Sequence, residues 1–500
     1  MFYALLRHFL FFLLYGSLGL FIGGATFYVL QMNARPDLQL WHTVRLSEEF
    51  RAGDEVRVPG LKAYAALEDR LFAQLDRRVY AGDDASLYSR VQAHLALHEE
   101  EAAATVINRY SSGSRADYRN RTPDWNRTVI LSVEKPRGAA LLLHGLSDSP
   151  YSLRAMAEHL QQQGWSVVVL RQPGHGTAPS ALLDVQWEDW AAVTRMAARD
   201  LQREVGADKP LLLVGYSTGA ALAVEYALAR QGGEALPQVS QLVLLSPAIG
   251  VSSAARFASW QRACARIPGL SKLAWVDLLP EYDPYKYGSF AVNAGEQIWR
   301  LTRHINTQLT ALEAAGKVAG LPPMLAFQSV ADATVSAPAV LDVLFRRLSP
   351  KDGHALVLFD ANRLSSTRPL LRQELFSVRD RLLQGPALPF DLTVVTNTRE
   401  DGMAVSTWER PVGKAEIRQA DLGLQWPAGM FALSHVALPM APQDPLYGAT
   451  APAPQQLYLG RVAVFGERGL LLVPEASLLR ARFNPFFSYV LARTDAFLAP

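Results

Sequence analysis

The sequence predicts an α/β protein, a mostly parallel central sheet flanked by helices. Three observations carry that expectation. From about Thr128 onward, short aliphatic runs alternate with stretches of helical periodicity, the pattern of repeated strand-helix units. A chain of 500 residues has room for one large domain with additions. Its composition, 49% hydrophobic and 19% charged, supplies a core and carries too little charge for a disordered chain.

Taken in order, the first element is the run Phe9 to Leu30, FLFFLLYGSLGLFIGGATFYVL. It is uncharged and long enough to cross a bilayer as a helix, for which about 20 apolar residues suffice. Its length, and the lack of an A-x-A-like cleavage site after it, favour an uncleaved membrane anchor (residues 1–32) over a signal peptide. Arg7 and His8 precede the run, whereas Arg35 is offset by Asp37. The bias places the N-terminus inside and the bulk of the chain on the non-cytoplasmic side, periplasmic or extracellular. Gly19 and Gly23 have the G-x-x-x-G spacing of a helix-pairing face, which says little in so glycine-rich a span. Residues 33–127 read as a leading, mostly helical segment, with Ala63 to Val79 at helical spacing. His94 and His98 stand four apart, as two metal ligands on a helix would, but no third ligand accompanies them and a solvated helix face is the simpler reading.

The remainder, 128–500, is the expected α/β domain. Strands are read in TVILSVE, AALLLHG, SVVVLRQPG, PLLLVGYS, QLVLLSPA, PMLAFQSV and ALVLFD, and helices in Tyr151 to Gln163, Trp187 to Val205, Thr218 to Arg230 and Ala337 to Leu348. Two intervals break the rhythm. Residues 249–321 hold no convincing strand and are rich in large apolar side chains, among them Phe257, Trp260, Leu270, Trp275, Tyr282, Tyr285 and Phe290. That composition suits a helical lid over a pocket, the alternative being further helical core. Residues 361–430 form a second insertion with strand-like pieces, FDLTVVTN and MAVSTWE, and no evident chemistry.

Composition also excludes. With 49 Lys and Arg against 47 Asp and Glu the net charge is +2, and no basic stripe is interleaved with aromatics, so nucleic acid is not an expected partner. The single cysteine, Cys264, rules out an internal disulfide and any cysteine-based zinc cluster.

The chemistry centres on LLLVGYSTGA, Leu211 to Ala220. A buried strand that ends in Gly215-x-Ser217-x-Gly219 and runs straight into a helix is the context in which a sharp turn lifts a serine hydroxyl out of the fold as a nucleophile. A serine needs a base to take its proton and an acid to orient that base, all at the C-terminal edge of the sheet. Asp332 follows the strand Met324 to Val330 and so lies on that edge, with Asp360 at the end of the next strand as runner-up. Among the histidines, His354 opens a strand and falls on the opposite edge. His435, beyond the second insertion, completes the chain order Ser, Asp, His. His144 and His175, in glycine-flanked loops, are read as shaping the site.

Together LLLHGLSDSPYSLR, LRQPGHGTAPS, GYSTGA, SVADATVS and the Ser434-His435 pair resemble the α/β-hydrolase superfamily, most closely the monoacylglycerol lipase, lysophospholipase and carboxylesterase group. The resemblance implies the α/β-hydrolase fold and a catalytic triad of Ser217, Asp332 and His435. It also implies an oxyanion hole from the backbone N–H groups of Leu146 and Thr218, with no metal or organic cofactor. The expected activity is that of a membrane-anchored serine hydrolase cleaving carboxylic esters of acyl chains, such as monoacylglycerols or lysophospholipids. An aminopeptidase-like hydrolase of peptide or amide bonds and a non-catalytic anchored scaffold are the alternatives.

Overall fold

The computed structural model describes residues 2–80, 107–250, 258–350, 353–366, 368–453, 456–461 and 473–499. His94, His98 and Phe257 lie outside the described residues.

All seven expected strands form. They are β1 (Val129–Leu131), β2 (Gly138–Leu143), β3 (Trp165–Leu170), β4 (Leu211–Tyr216), β5 (Val239–Leu245), β8 (Met324–Ser329) and β9 (Ala355–Phe359); between β5 and β8 lie two short strands, β6 (Trp275–Asp277) and β7 (Phe290–Ala291). β10 (Asp391–Asn397), β11 (Ala404–Arg410) and β12 (Arg418–Gln425) follow. Apart from β6 and β7, which pair with each other, all belong to one ten-stranded sheet in the order β1-β3-β2-β4-β5-β8-β9-β10-β11-β12. From β3 to β10 the neighbours are parallel, and β1, β11 and β12 are antiparallel additions at the two ends. Every residue of β2, β3, β4 and β8 is buried, which is why these strands read as continuous aliphatic runs instead of alternating ones.

Helices cover the two faces: α3 (Arg154–Gln162), α4 (Trp187–Val205), α5 (Thr218–Gln231), α7 (Val292–Ala314), α8 (Gln373–Gln384) and α9 (Phe487–Leu498), after α1 (Phe2–Asn33) and α2 (Leu61–Leu75), and with α6 (Ala258–Cys264) before α7. Period-two side chains of one strand serve different layers. Leu141 and Leu143 join the apolar cluster that contains α4, α5 and α7, while Ala140 and Leu142 join the one that contains α3 and α9.

The two interruptions of the pattern are built as follows. In 249–321 the structure holds β6 and β7, each too short to show alternation. The long helix α7 is also core, since Ile298, Leu301, Ile305, Leu309 and Leu312 recur at helical spacing and are buried in the cluster with α5. The 361–430 insertion is an extension of the sheet. FDLTVVTN supplies β10, parallel to β9 with Val395 opposite Phe359, and MAVSTWE supplies β11.

The leading segment is docked on the main domain. Tyr64, Leu67 and Leu71 of α2 are buried, Tyr64 Oη donates to the carbonyl of Arg171 at 2.9 Å, and the N–H of Leu61 donates to Asp200 at 2.7 Å. Between segment and domain lies a buried ion cluster. Arg171, at the end of β3, spends all five of its N–H donors, on Glu49, Glu68, Tyr64 Oη and the carbonyl of His175.

The helix α1 exposes nearly all its side chains, and residues 2–32 are long and apolar enough to cross a membrane. Its C-terminal end is tied to the segment before β6. Arg35 donates to the carbonyl of Trp275 at 2.9 Å, and Lys272 bonds both the carbonyl of Arg35 and the Asp37 carboxylate at 2.8 Å.

Candidate active site

The site grows from the end of β4. After Tyr216 the backbone turns through Ser217 at φ 54° and ψ −114°, a conformation that costs an L-residue of order 1–3 kcal/mol and persists only where its surroundings hold it. Four backbone bonds do so: the Ser217 N–H donates to Leu245 at 2.9 Å, and the Ser217 carbonyl accepts from Ala220 and Ala221 at 3.1 Å and from Ala248 at 3.0 Å. The flanking glycines are required by close approach. A Cβ on Gly215 would run into the backbone of Ala220, and one on Gly219 into the carbonyl oxygen of Leu143. The helix α5 therefore begins hard against the β2 end, bringing Ser217 beside the loop that carries His144, Gly145 and Leu146.

The N–H groups of Leu146 and Thr218 donate to no described acceptor. Thr218 is the first residue of α5, where an amide has no intrahelical partner. These are the two donors expected for an oxyanion hole.

Asp332 and His435 come together. His435 Nδ1 lies 2.7 Å from Asp332 Oδ2. The other carboxylate oxygen accepts the backbone N–H groups of Thr334 (2.8 Å) and Val335 (2.9 Å), and Gln328 donates to Oδ2 at 3.2 Å. Burial alone would raise the Asp332 pKa, but the bond and charge of His435 and the two backbone donors hold it below the ordinary value. An ionised carboxylate only accepts, so Nδ1 carries a proton, and in the neutral imidazole this leaves the lone pair on Nε2. Among the described residues no hydrogen bond joins Ser217 Oγ to His435. What binds the two regions is the preceding residue: the Tyr216 ring lies with its centroid 5.2 Å from that of His435, and its hydroxyl donates to the His435 carbonyl at 3.4 Å. Catalytic hydrogen bonds are commonly long before substrate is bound.

The route by which His435 arrives is built from three bonds. Leaving β12, the chain crosses the end of β9, where Asn362 donates its N–H to Phe431 O (2.8 Å) and its amide to Met430 O (3.0 Å). It then crosses the end of β8, where Ser329 Oγ donates to Leu433 O at 2.8 Å. Ser329 and Asn362 are positioning residues invisible to motif reading, because their partners are backbone carbonyls about 70–100 residues away.

The competing candidates lie elsewhere in the network. Asp360 is buried against Arg363 and Thr396 Oγ1. His354 precedes β9 at its N-terminal end, its carbonyl accepting from Asp391. His144 Nε2 accepts the N–H of Gln172 at 3.0 Å, and the His144 and His175 rings meet at 5.0 Å. Burial pushes His144 far below the ordinary histidine value and His175 down to about 4, so both are neutral packing groups.

Two cavities flank His435. One, about 150 Å³, is largely apolar in surface but is distinguished by the charged side chains Asp148, Asp283, Lys286, Arg480 and Arg482 in its lining; Tyr216, Tyr282 and Val436 also border it. The other, about 420 Å³, is mostly apolar, with Ala331, Ala333, Met430, Phe431 and Leu433 beside His435. Among the described residues no group of three or more His, Cys, Asp or Glu is arranged to hold a metal.

An open parallel sheet whose fourth strand ends in a strained serine, with an Asp-His pair delivered to the same edge, is the α/β-hydrolase fold. Residues 134–361 match the family described as serine aminopeptidase, S33. Among solved structures the chain is similar to the monoacylglycerol lipase of Paleococcus ferrophilus (20% identity, 46% of this chain and 87% of that one, TM-score 0.35). It is likewise similar to a soluble variant of monoglyceride lipase from Saccharomyces cerevisiae (15%, 46% and 81%, TM-score 0.36) and to a thermostable carboxyl esterase from Bacillus coagulans (16%, 46% and 83%, TM-score 0.35). Among curated proteins no relative matches.

Proposed function

We propose that the protein is a membrane-anchored serine hydrolase that cleaves carboxylic esters through an acyl-enzyme. The observation that carries this reading is the 2.7 Å bond between Asp332 and His435 at the same sheet edge as the strained Ser217. In the first step Ser217 Oγ attacks the ester carbonyl as His435 Nε2 takes its proton. The negative charge that develops on the carbonyl oxygen is met by the N–H groups of Leu146 and Thr218. As the tetrahedral intermediate collapses, His435 passes its proton to the leaving alcohol. Water, deprotonated by the same imidazole, then attacks the acyl carbonyl, and the carboxylic acid leaves as Ser217 regains its proton. Asp332 stays ionised throughout and stabilises the imidazolium.

Substrate class rests on the apolar cavity, which suits an acyl chain, and on α1, whose end is tied to the loop at 271–277. Exposed Trp260, Ile267 and Val276 belong to this same stretch of chain. In this reading α1 spans the membrane and the domain on its non-cytoplasmic side draws monoacylglycerols or lysophospholipids from the adjacent leaflet. The description of the matched family favours a second reading, turnover of peptide or amide bonds by the same triad.

A fluorophosphonate probe should label the full-length protein at Ser217, and Ser217→Ala should remain unlabelled. Labelling that survives the substitution would sink the assignment. Hydrolysis of p-nitrophenyl esters of increasing chain length, set against aminoacyl anilides, separates the ester from the amide reading.

A further inference from the structure

Outside the triad, one side chain borders both cavities. Among the described residues Arg480 is the only one shared by the two linings. The other described cations of the smaller, charge-lined cavity are already matched. Lys286 pairs with Asp148 at 3.3 Å, and Arg482 pairs with Asp283 at 2.9 Å while also donating to Tyr282 Oη. Asp283 is further occupied by the Tyr447 hydroxyl. Arg461, at the rim of the apolar cavity, is exposed and lies over the Phe483 ring. Arg480 is half-buried, and among the described residues it has neither an ion-pair nor a hydrogen-bond partner. Its charge is close enough to act on the hydroxyl of Tyr216, the residue before Ser217. With the other charges paired, the guanidinium leaves the charge-lined cavity beside His435 with one positive charge that no described residue pairs with.

Resting on the ester-hydrolase reading above, we propose that Arg480 binds an anionic group on the alcohol portion of the substrate. The preferred substrates are then acyl esters with a phosphate beyond the scissile bond, their acyl chains in the larger cavity and their head groups in the smaller, charge-lined one. A guanidinium offers a phosphate paired N–H donors in a fixed fork, which a neutral glycerol cannot use. His435 lines the larger cavity and its neighbour Val436 the smaller, charge-lined one, so an ester held at His435 would have a cavity on either side.

The test uses full-length protein in detergent micelles and two substrates that differ only in the phosphate, 1-lauroylglycerol and 1-lauroylglycerol 3-phosphate. Arg480→Gln should raise KM for the phosphate ester about tenfold, the range of one hydrogen bond to a charged group, and leave kcat/KM for the neutral ester within about twofold. Arg480→Lys should recover part of the loss. Inorganic phosphate should compete weakly with the phosphate ester in the wild type and not in Arg480→Gln, so that recognition of the free anion is separated from recognition of the lipid head group. Equal effects on both esters, or none on either, overturn the proposal. A binding arm keeps this independent of the reaction: the ether-linked analogue of the phosphate ester should bind Arg480→Gln about tenfold more weakly than wild type. If neither ester is turned over but that difference holds, the ester reading fails and the anion site stands; equal affinities overturn the site.

Discussion

Arg171 and Arg480 are both drawn in toward the C-terminal rim of the sheet, and they show opposite ways of holding a charge. Arg171 is fully buried, and each of its N–H groups is spent on Glu49, Glu68, Tyr64 or the His175 carbonyl. Around Ser217 the same edge leaves groups unmatched among the described residues: the amides of Leu146 and Thr218, and the guanidinium of Arg480. A saturated cluster fixes one arrangement of the chain and has nothing left to offer a ligand. Unmatched donors beside a strained backbone cost stability and are what a reacting carbonyl or an anion requires. The difference separates the clamp that docks residues 33–80 from the region proposed to do chemistry.

The comparison is sharpest where one cluster is broken and the other left alone. His435→Ala should lower ester turnover by about 10⁶-fold, the loss seen when a triad base is removed, with the melting temperature nearly unchanged. His354→Ala, at the opposite end of β9, should show the reverse balance. Turnover that persists in His435→Ala at near wild-type rate would remove the triad from consideration.

Next in size are the two carboxylates that follow β8 and β9. Asp332→Asn should reduce kcat by about 10⁴-fold, because an amide no longer selects the tautomer with the proton on Nδ1. Asp360→Asn touches Arg363 and Thr396 instead, so its cost should fall on thermal stability. Comparable kinetic losses in the two variants would mean that the wrong acid has been chosen.

On the clamp side, Glu49→Gln leaves Arg171 with a buried charge short of its partner. Removing one member of a buried pair typically costs about 3–5 kcal/mol, so denaturant midpoints should drop clearly while kcat of the folded fraction stays at the wild-type value. A large change in kcat would break the division between clamp and site.

The smallest effect is that of pH on the histidines around both regions. Burial depresses His42 and His175 to about 4 and His144 further. Each therefore binds its proton more readily in the unfolded chain, whose histidines titrate near the ordinary 6.5. Their contribution to stability is complete above about pH 6.5 and is lost as the pH falls toward 4. Unfolding midpoints measured across that window should decline with acid, and less steeply in His175→Gln. A flat profile would mean these rings are protonated in the folded state.

Much of the molecule was legible because its signals are local. Seven strands were readable from aliphatic runs of about six residues, and Trp187 to Val205 has the boundaries its periodicity suggested. The turn at the serine was readable because Gly219 lets α5 begin against the end of β2 and Gly215 lets Ala220 of α5 pack onto β4, approaches that a side chain at either position would block. His354 was set aside because it opens a parallel strand and so falls on the wrong edge, and His435 was preferred because it completes the chain order Ser, Asp, His. The lid expected at 249–321 was the weaker inference. Large apolar side chains mark a surface to be covered, and they do not say whether a pocket or, as for α7, another helix covers it.

The sequence by itself therefore determined the α/β class and the turn at Ser217, which depend on period and on glycine within a few residues, and through strand polarity and chain order it singled out Asp332 and His435 as the pair proposed for acid and base. Only the tertiary structure decided that residues 361–430 continue the sheet through β10–β12, and that Ser329 and Asn362 then steer the chain back until His435 meets Asp332, 103 residues earlier. It alone set Arg480 between two cavities, in a stretch with no motif around it. The physical reason is range: a hydrogen bond to a backbone carbonyl can be made by any donor that the fold brings close, so it leaves no pattern in the sequence that a local reading could find.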